Sequence, residues 1–129
     1  MRVERLNEAA PMFNFEKLDT WHEAIAFADL VYTLTRAFPA EERFGLTNQM
    51  RRAAVSISSN LAEGCSRSSK PDYARFVEIA TGSVFEVVSQ ATIGRNQGFL
   101  SQPDYEQLYA AAEKQSRMLS GLRKSLERH

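Results

Sequence analysis

Apolar side chains recur at steps of three and four residues through most of the chain, and this spacing restricts the possible folds more than any other feature. An α-helix has about 3.6 residues per turn, so such steps place apolar side chains on one face. Short breaks that carry proline, glycine or serine divide the pattern into four segments, and no stretch has the alternation typical of a strand. Helices of roughly 18 to 27 residues with short connections predict an all-α, antiparallel up-and-down four-helix bundle.

Local signals set the limits of the first two predicted helices. Thr20 and Glu23 form a Thr-x-x-Glu capping box at the start of the first helix, and Pro39 ends it. The second helix runs from about Leu46 to Glu63, with Gly64 placed as a left-handed stop. Small residues dominate its flanks, so we expect a neighbouring helix to approach it closely.

Serine caps introduce the last two predicted helices. Ser69 precedes the third helix, with Pro71 in its first turn, and Gly98 follows its end. Ser101 precedes the fourth helix, where Gln115 is the one polar member of a heptad seam, a kind of residue that fixes register. Gly82 in the middle of the third helix costs about 1 kcal/mol relative to alanine, which indicates a close contact there.

The core-facing positions follow from the spacing within each helix. They are Trp21, Ile25, Ala28, Val31 or Tyr32, Leu34 and Phe38; Leu46, Met50, Ala53 or Ala54, Ile57 and Leu61; Tyr73, Phe76 or Val77, Ala80, Val84, Val87 or Val88 and Ala91; and Tyr105, Leu108, Ala112, Gln115, Leu119, Leu122 and Leu126. Six aromatic residues fall off these stripes: Phe13, Phe15, Phe44, Phe85, Phe99 and Tyr109. Exposed aromatic side chains in such number are typical of an interface, so we expect a homo-oligomer.

Length and composition fit one globular domain. The 129 residues are 43% hydrophobic and 25% charged, and we expect a tail at residues 1–14 followed by a bundle domain at residues 15–129. No apolar run approaches the roughly 18 residues of a membrane span, and acidic residues stand where a signal peptide has an apolar stretch. We therefore expect a cytoplasmic protein that does not bind a membrane.

Residues that could perform catalysis are few. Cys65 is the one cysteine and sits just past a predicted helix end, where the helix dipole disfavours a thiolate, although Arg67 is near. His22 lacks a second histidine at zinc-site spacing, and no Glu-x-x-His pair or glycine-rich phosphate loop is present. The sequence predicts a protein that is not an enzyme and has no metal or other cofactor.

Charge alternates in blocks although the net charge is zero. Residues 1–44 and 76–112 each carry a net charge of −3, whereas residues 45–75 and 113–129 each carry +3. Acidic and basic helices that attract one another, within the bundle or between subunits, explain this pattern. A basic docking face is the other explanation.

The run from Arg51 to Gly64 mixes charged, small and amide side chains with the apolar pattern. One interpretation is structural: Arg51, Arg52 and Glu63 pair with Glu78 and Glu86 of the third helix, and Asn60 fixes helix register through hydrogen bonds. The other is functional: a basic rim contacts nucleic-acid phosphates and comprises Arg51, Arg52, Arg67, Lys70 and Arg75.

Several runs, in order over residues 13 to about 125, resemble those of one family. They are Phe15-x-x-Leu18-Asp19-x-Trp21, Phe38-Pro39-x-Glu41-Glu42-Arg43-Phe44-Gly45-Leu46-Thr47-x-Gln49, Arg51-Arg52-Ala53-Ala54-Val55-Ser56-Ile57, Asn60-Leu61-Ala62-Glu63-Gly64 and Gly82-Ser83-x-x-Glu86. Together they resemble the bacterial four-helix-bundle proteins first noticed in intervening sequences of large-subunit ribosomal RNA genes.

That family is similar to the accessory variability determinant of diversity-generating retroelements, a barrel-like pentamer that binds reverse transcriptase and nucleic acid through basic residues. The resemblance implies a homopentamer of four-helix bundles without enzymatic activity, whose partner is a nucleic acid or a nucleic-acid-associated protein. It makes Arg51 and Arg52 the candidate contacts, and its structural motifs include Asn60, Glu63, Gly64, Gly82 and Glu86. A module that binds another polypeptide through apolar or acidic faces is the alternative.

Overall fold

The computed structural model describes residues 12–127 and contains four α-helices. They are α1 (Asp19–Thr35), α2 (Leu46–Cys65), α3 (Lys70–Asn96) and α4 (Gln102–Ser125). Short 3₁₀ helices, Asn14–Lys17 and Ala40–Glu42, precede α1 and α2, and no strand occurs in the described residues. The predicted all-α fold is confirmed.

Each helix packs on two neighbours, in the order α1, α2, α3, α4 and back to α1. Between the diagonal pairs, α1 with α3 and α2 with α4, no Cα atoms of residues 12–127 come within 8 Å. This ring of neighbours, joined by short connections, is the predicted up-and-down bundle. The most extensive contact is between α2 and α3, as the small side chains of α2 predict.

All four helices contribute to one apolar core. Its largest buried side chains include Phe27, Met50, Ile57, Leu108 and Leu119, each of which stabilises the fold by about 1.5–3 kcal/mol on burial. The centres of the predicted stripes on α2, α3 and α4 are buried, so those three assignments are confirmed. At the ends of α3 and α4, Tyr73, Tyr105, Leu122 and Leu126 are only partly buried and pack against the edge of the core.

The stripe predicted for α1 is partly wrong. Ala28, Phe38 and Val31, the first of the two alternatives at that step, are buried as predicted. Ile25 is exposed instead, and Phe27 and Thr35 are buried although the stripe did not include them. Apolar residues occur on almost every side of α1, so their spacing alone does not determine which side faces the core. In the structure the side of α1 that faces its neighbours begins with the small residues Thr20 and Ala24, and Ala24 is fully buried.

The predicted capping box at the start of α1 is also wrong. The helix begins at Asp19, its N-cap is Leu18 without a side-chain cap, and Thr20 is buried inside the first turn. The preceding 3₁₀ helix directs the chain instead, because the ring of Phe15 packs on Trp21 at 4.8 Å between centroids. The serine caps predicted for α3 and α4 are confirmed. Ser69 and Ser101 each accept a hydrogen bond from the backbone amide three residues later.

Two glycines act differently from the prediction. Gly64 lies inside α2, which continues to Cys65, and a Cβ at Gly64 would lie 2.9 Å from the Tyr73 ring and 3.0 Å from Cβ of Phe76. Gly64 therefore allows α2 and α3 to approach, and it is not a left-handed stop. At Gly82 the expected close contact is missing, since, apart from the adjacent backbone of α3 itself, nothing in residues 12–127 lies within 4 Å of such a Cβ.

Gln115 occupies the buried seam of α4 as predicted. Its Nε2 donates to the carbonyl oxygen of Thr20 at 3.3 Å and so links α4 to α1, whereas its Oε1 has no partner in the described residues. An unpaired buried acceptor costs about 1–3 kcal/mol. The seam therefore gains register at a cost in stability.

The ends of the chain are described only in part. Most of the predicted tail, residues 1–11, lies outside the described residues, and the boundary at residue 14 stays a prediction. Asn14 itself is linked to the bundle, since its Nδ2 donates to the carbonyl oxygen of Cys65 at 2.9 Å. Among residues 12–127, no helix has the length and apolar character needed to cross a membrane.

Candidate nucleic-acid interface

The five basic residues predicted to form one rim lie in two places. Arg51 and Arg52 are in the first half of α2, whereas Arg67, Lys70 and Arg75 surround the turn from α2 to α3. Arg67 lies fifteen positions after Arg52, which corresponds to roughly 20 Å along a helix at about 1.5 Å per residue. The structure therefore does not bring the five side chains together as one rim.

Arg51 is held against the end of α1. Its Nε donates to Oγ1 of Thr35 at 2.9 Å, a second nitrogen donates to the carbonyl oxygen of Tyr32 at 3.4 Å, and the guanidinium lies 4.6 Å from the centre of the Tyr32 ring. These contacts fix the guanidinium without a carboxylate. Arg51 thus combines a structural role with a half-buried positive charge that no carboxylate of the described residues neutralises.

Arg52 is exposed, and its side chain makes no hydrogen bond or ion pair with any residue from 12 to 127. It lines a cleft between α2 and α3 together with Gln49, Ser56 and Glu86. Although Arg52 and Glu86 share this cleft, no nitrogen–oxygen distance of 4.0 Å or less joins them. The charge of Arg52 is therefore available to a ligand.

A wider groove connects both arginines with the turn before α2. We call it the basic groove; its main residues are Tyr32, Arg43, Phe44, Asn48, Arg51 and Arg52. Its volume is about 630 Å³, within the roughly 300–1,000 Å³ of sites for small organic ligands. It combines three guanidinium groups, two aromatic rings and an amide, and none of the three arginines forms an ion pair within the described residues.

Phe44 is the most unusual member of the basic groove. The ring is 83% exposed, and the guanidinium of Arg43 lies 5.0 Å from its centre. The backbone on either side is fixed, because Oε1 of Glu42 accepts a bond from the Leu46 amide at 3.0 Å. A Cβ at Gly45 would lie 2.9 Å from that same oxygen, so a larger residue there would push the Glu42 carboxylate aside.

Only some residues of the basic groove could be predicted from the sequence. Phe44 was predicted at an interface because it falls off the helical stripes, but Arg43 was not among the candidate phosphate contacts. The signal was present in the sequence, since Arg43 stands directly before an unpaired aromatic residue in a predicted connection. Its proximity to Arg51 and Arg52 depends on how the connection folds back on α2.

The other basic cluster is electrically balanced. Arg67 pairs with Glu63 at 2.9 Å and lies over the ring of Phe76, and Arg75 pairs with Asp72 at 3.7 Å. Lys70 lies beside Arg75 and Glu78 in a surface groove and also has partners of its own. This end of the bundle offers a ligand little net charge.

The structural interpretation of the arginines is wrong in its pairing. Glu78 accepts from Arg123 of α4 at 2.8 Å, and this hydrogen bond raises the pKa of Arg123. Glu63 pairs within its own segment, and Glu86 accepts from Gln90 at 3.4 Å. Helix attraction between charge blocks is confirmed only for the last block, where Arg123 meets Glu78 and Lys114 meets Glu23 of α1 at 3.2 Å.

Asn60 fixes helix register through a neighbour and not by a direct bond. Its Nδ2 donates to the carbonyl oxygen of Ser56 at 2.8 Å and to Oγ of Ser56 at 2.9 Å. The hydroxyl oxygen of Ser56 also accepts a hydrogen bond from Oγ of Ser83 on α3 at 2.9 Å. The predicted cross-link between α2 and α3 is therefore made by the two serines, with Asn60 as support.

A family model described as "23S rRNA-intervening sequence protein" matches residues 16–121, more than half of the chain. The chain belongs to this family. The chain also has the fold of a crystal structure from Bacteroides thetaiotaomicron VPI-5482, a protein with unknown function from the S23 ribosomal protein family. The two superpose with a TM-score of 0.73 at 18% sequence identity, over 81% of this chain and 98% of the other.

No protein with curated annotation matches the chain. Neither the matched family nor the Bacteroides protein is described by an enzymatic activity. The predicted membership of the intervening-sequence family is thus confirmed, and at 18% identity the solved structure supports the fold alone.

Cys65 is half-buried near the end of α2. Its Sγ lies 3.1 Å from the hydroxyl of Tyr73, whose pKa is raised by burial and by this hydrogen bond. A tyrosine that stays protonated does not act as a base toward a thiol. The pair is best explained as packing between α2 and α3.

His22 does not form part of a metal site in the described residues. Its Nε2 lies 2.7 Å from the carbonyl oxygen of Glu16, and its ring contacts Trp21 edge-on. Within residues 12–127, no group of three histidine, cysteine, aspartate or glutamate side chains is placed to hold a metal ion. His22 instead joins the 3₁₀ helix to α1.

Proposed function

We propose that this protein is a non-enzymatic, oligomeric scaffold that binds nucleic acid in the basic groove. One observation carries the proposal: Arg43, Arg51 and Arg52 meet in one open groove without a carboxylate partner among residues 12–127, whereas the other candidate cluster is balanced by its own acids. Unpaired guanidinium groups at an exposed site favour a phosphate ligand, because it accepts bidentate hydrogen bonds.

The family favours RNA as the nucleic acid, since its description refers to intervening sequences of 23S rRNA. A net charge of zero does not oppose this, because the short-range field at the groove depends on the charges within roughly a Debye length of about 10 Å. We infer a local contact with a few phosphates. It predicts moderate affinity that falls steeply with salt.

Self-association uses a different surface in this proposal. The outer face of α3 exposes Ile79, Phe85 and Ile93, and Gly82 on this helix has open space where a Cβ would lie. Phe85 also borders an apolar groove of about 270 Å³ that includes Tyr109 of α4. An exposed apolar face of this kind is typical of subunit contacts. We propose that a second copy of the chain covers it, in the homopentamer that the family resemblance implies.

The same α3 face supports the second candidate function, a module that binds another polypeptide. That reading applies if the face remains open in a stable single subunit. It predicts a salt-resistant protein complex and no nucleic-acid affinity, so one binding assay separates the two functions.

Salt-titrated binding of the full chain to fluorescent RNA tests the proposal. The logarithm of the association constant should fall linearly with that of salt concentration, by roughly 0.7 to 0.9 per phosphate contacted. In Arg43→Glu/Arg52→Glu the affinity should drop and the slope should decrease by about 1 for each arginine. Both side chains are exposed and make no hydrogen bond or ion pair in the described residues, so the oligomer should persist.

The matched control reverses the same number of charges at the other end of the bundle. Arg67→Glu/Arg75→Glu has the same net charge as the groove variant and should retain affinity within about twofold of the wild type. Equal losses in both variants would indicate that only overall charge matters. No binding by the wild type at low salt would refute the proposed function.

A further inference from the structure

We infer that the basic groove selects single-stranded over double-stranded nucleic acid, with an unpaired base stacked on Phe44. This inference rests on the proposed function and names the form of nucleic acid that the groove accepts. Bases in a duplex stack on one another and are closed to side chains, whereas those of a single strand are open to an aromatic ring.

The exposure of Phe44 is the first observation behind the inference. A phenylalanine is normally buried in the core or at an edge of it, yet this ring is 83% exposed and is not packed against the core. Burying it against a base removes the apolar surface from water. The fixed turn at Glu42 and Leu46 holds the backbone beside it, so little ordering is needed on binding.

The arrangement of charge around the rings is the second observation. Arg43 lies over Phe44 and Arg51 lies over Tyr32, so each ring in the groove has a guanidinium against it. A base that stacks on a ring paired with a guanidinium group places its own phosphate near that positive charge. Arg52, which has no partner in the described residues, is available for the next phosphate along the strand.

The hydrogen-bonding side chains form the third observation. Asn48 is exposed on the floor of the groove beside Thr47, and an amide can donate to and accept from the edge of an unpaired base. A surface that met only duplex phosphates would need cations at regular spacing and no aromatic ring. The groove has the composition of a single-strand site: basic side chains interleaved with aromatic ones.

The test compares a 12-nucleotide unstructured RNA with the same RNA in a duplex, each titrated with full-length wild type and Phe44→Leu. Phe44→Leu should weaken single-strand binding by about five- to 150-fold, which corresponds to the loss of stacking between one base and an aromatic ring. The affinity for the duplex should stay within about twofold of the wild type. Phe85→Leu, at an exposed phenylalanine outside the groove, should bind both RNAs like the wild type. Circular dichroism verifies the fold of each variant.

The outcomes separate this inference from the proposed function. If the wild type binds the duplex as tightly as the single strand, or if Phe44→Leu changes neither affinity, the stacking inference is wrong while nucleic-acid binding stands. If neither RNA binds at low salt, the proposed function and the inference both fail, and a protein partner becomes the occupant to seek for Phe44.

Discussion

Arg51 and Arg52 are adjacent in sequence, but their environments give them different tasks. Arg51 is tied to Thr35 and Tyr32 of α1, and the Thr35 hydroxyl is itself buried and bonded to the carbonyl oxygen of Val31 at 2.7 Å. Arg52 points into solvent beside Glu86. One residue of difference on a helix is a rotation of about 100°, which is enough to separate a structural arginine from a free one.

Stability measurements on the two alanine variants should differ accordingly. Arg51→Ala should lower the free energy of unfolding by about 1–2 kcal/mol, because it removes hydrogen bonds to α1 and the contact with Tyr32. Arg52→Ala should change it by less than about 0.5 kcal/mol. Urea titration of both variants provides the comparison, and equal losses would contradict the roles assigned here.

Tyr73 provides a prediction for alkaline pH. Burial and the hydrogen bond with Cys65 raise its pKa above its value near 10 in an unfolded chain. A raised folded-state pKa means that the stabilising contribution is complete below pH of about 10 and is lost as pH rises above it. The melting temperature of the wild type should therefore fall more steeply than that of Tyr73→Phe between about pH 10 and 11.5.

Tyr32→Phe is the control for this measurement, since Tyr32 is exposed, lies away from the outer face of α3 and has no hydrogen bond through its hydroxyl in the described residues. It should follow the wild-type pH profile. Parallel profiles for the wild type and Tyr73→Phe would show that the Tyr73 hydroxyl is not held protonated by its surroundings.

Helices α2 and α3 make the most extensive contact in the bundle, and Gly64 lies in that contact. A methyl group at this position meets the Tyr73 ring and Cβ of Phe76, the second of which is fixed to the backbone and cannot move aside. Packing of this kind transmits strain because core side chains are already close to maximal density.

Gly64→Ala should lower the free energy of unfolding by about 1 kcal/mol, since the steric cost exceeds the gain in helix propensity. Gly121→Ala has the opposite expectation. It lies within α4 with nothing in residues 12–127 near its Cβ, and it should raise stability by about 0.5 kcal/mol. Thermal or urea unfolding of both gives the signs, and stabilisation by Gly64→Ala would contradict the close contact.

The sequence was sufficient to predict helices whose apolar residues occupy a single side. The face of α2 that includes Met50, Ile57 and Leu61 is an example, because the opposite side is polar and only one rotation buries the stripe. For α1 the sequence leaves several rotations with similar burial, and contacts with other helices decide between them. The role of Gly64 depended on the same contacts, which no local signal encodes.

At the scale of the whole molecule, the basic groove and the outer face of α3 are separate surfaces with different chemistry. The sequence predicted exposed aromatic residues and candidate arginines, but not how they would be grouped. Phe44 joins the arginines because the connection before α2 folds back on that helix, whereas Phe85 of α3 shares an apolar groove with Tyr109 of α4. Grouping residues from different elements requires the tertiary fold.

The assembly prediction belongs to this scale. Light scattering should give a mass of about five times the 14.6 kDa subunit, and Phe85→Lys should dissociate the assembly because it places a charge in an apolar contact. Phe44→Lys, which adds the same charge outside the α3 face, should leave the mass unchanged. A single subunit at every concentration would contradict self-association and favour a polypeptide partner for this face.

Binding of RNA in the basic groove can be tested directly by ultraviolet cross-linking to a single strand that contains 4-thiouridine. Trypsin digestion and mass spectrometry then locate the RNA on the protein. Cleavage after Arg43 and Arg51 releases residues 44–51, which carry Phe44, while residues 68–75 come from the balanced end of the bundle. If RNA binds in the basic groove, cross-links should occur on the peptide of residues 44–51. Cross-links confined to residues 68–75 would contradict binding in this groove.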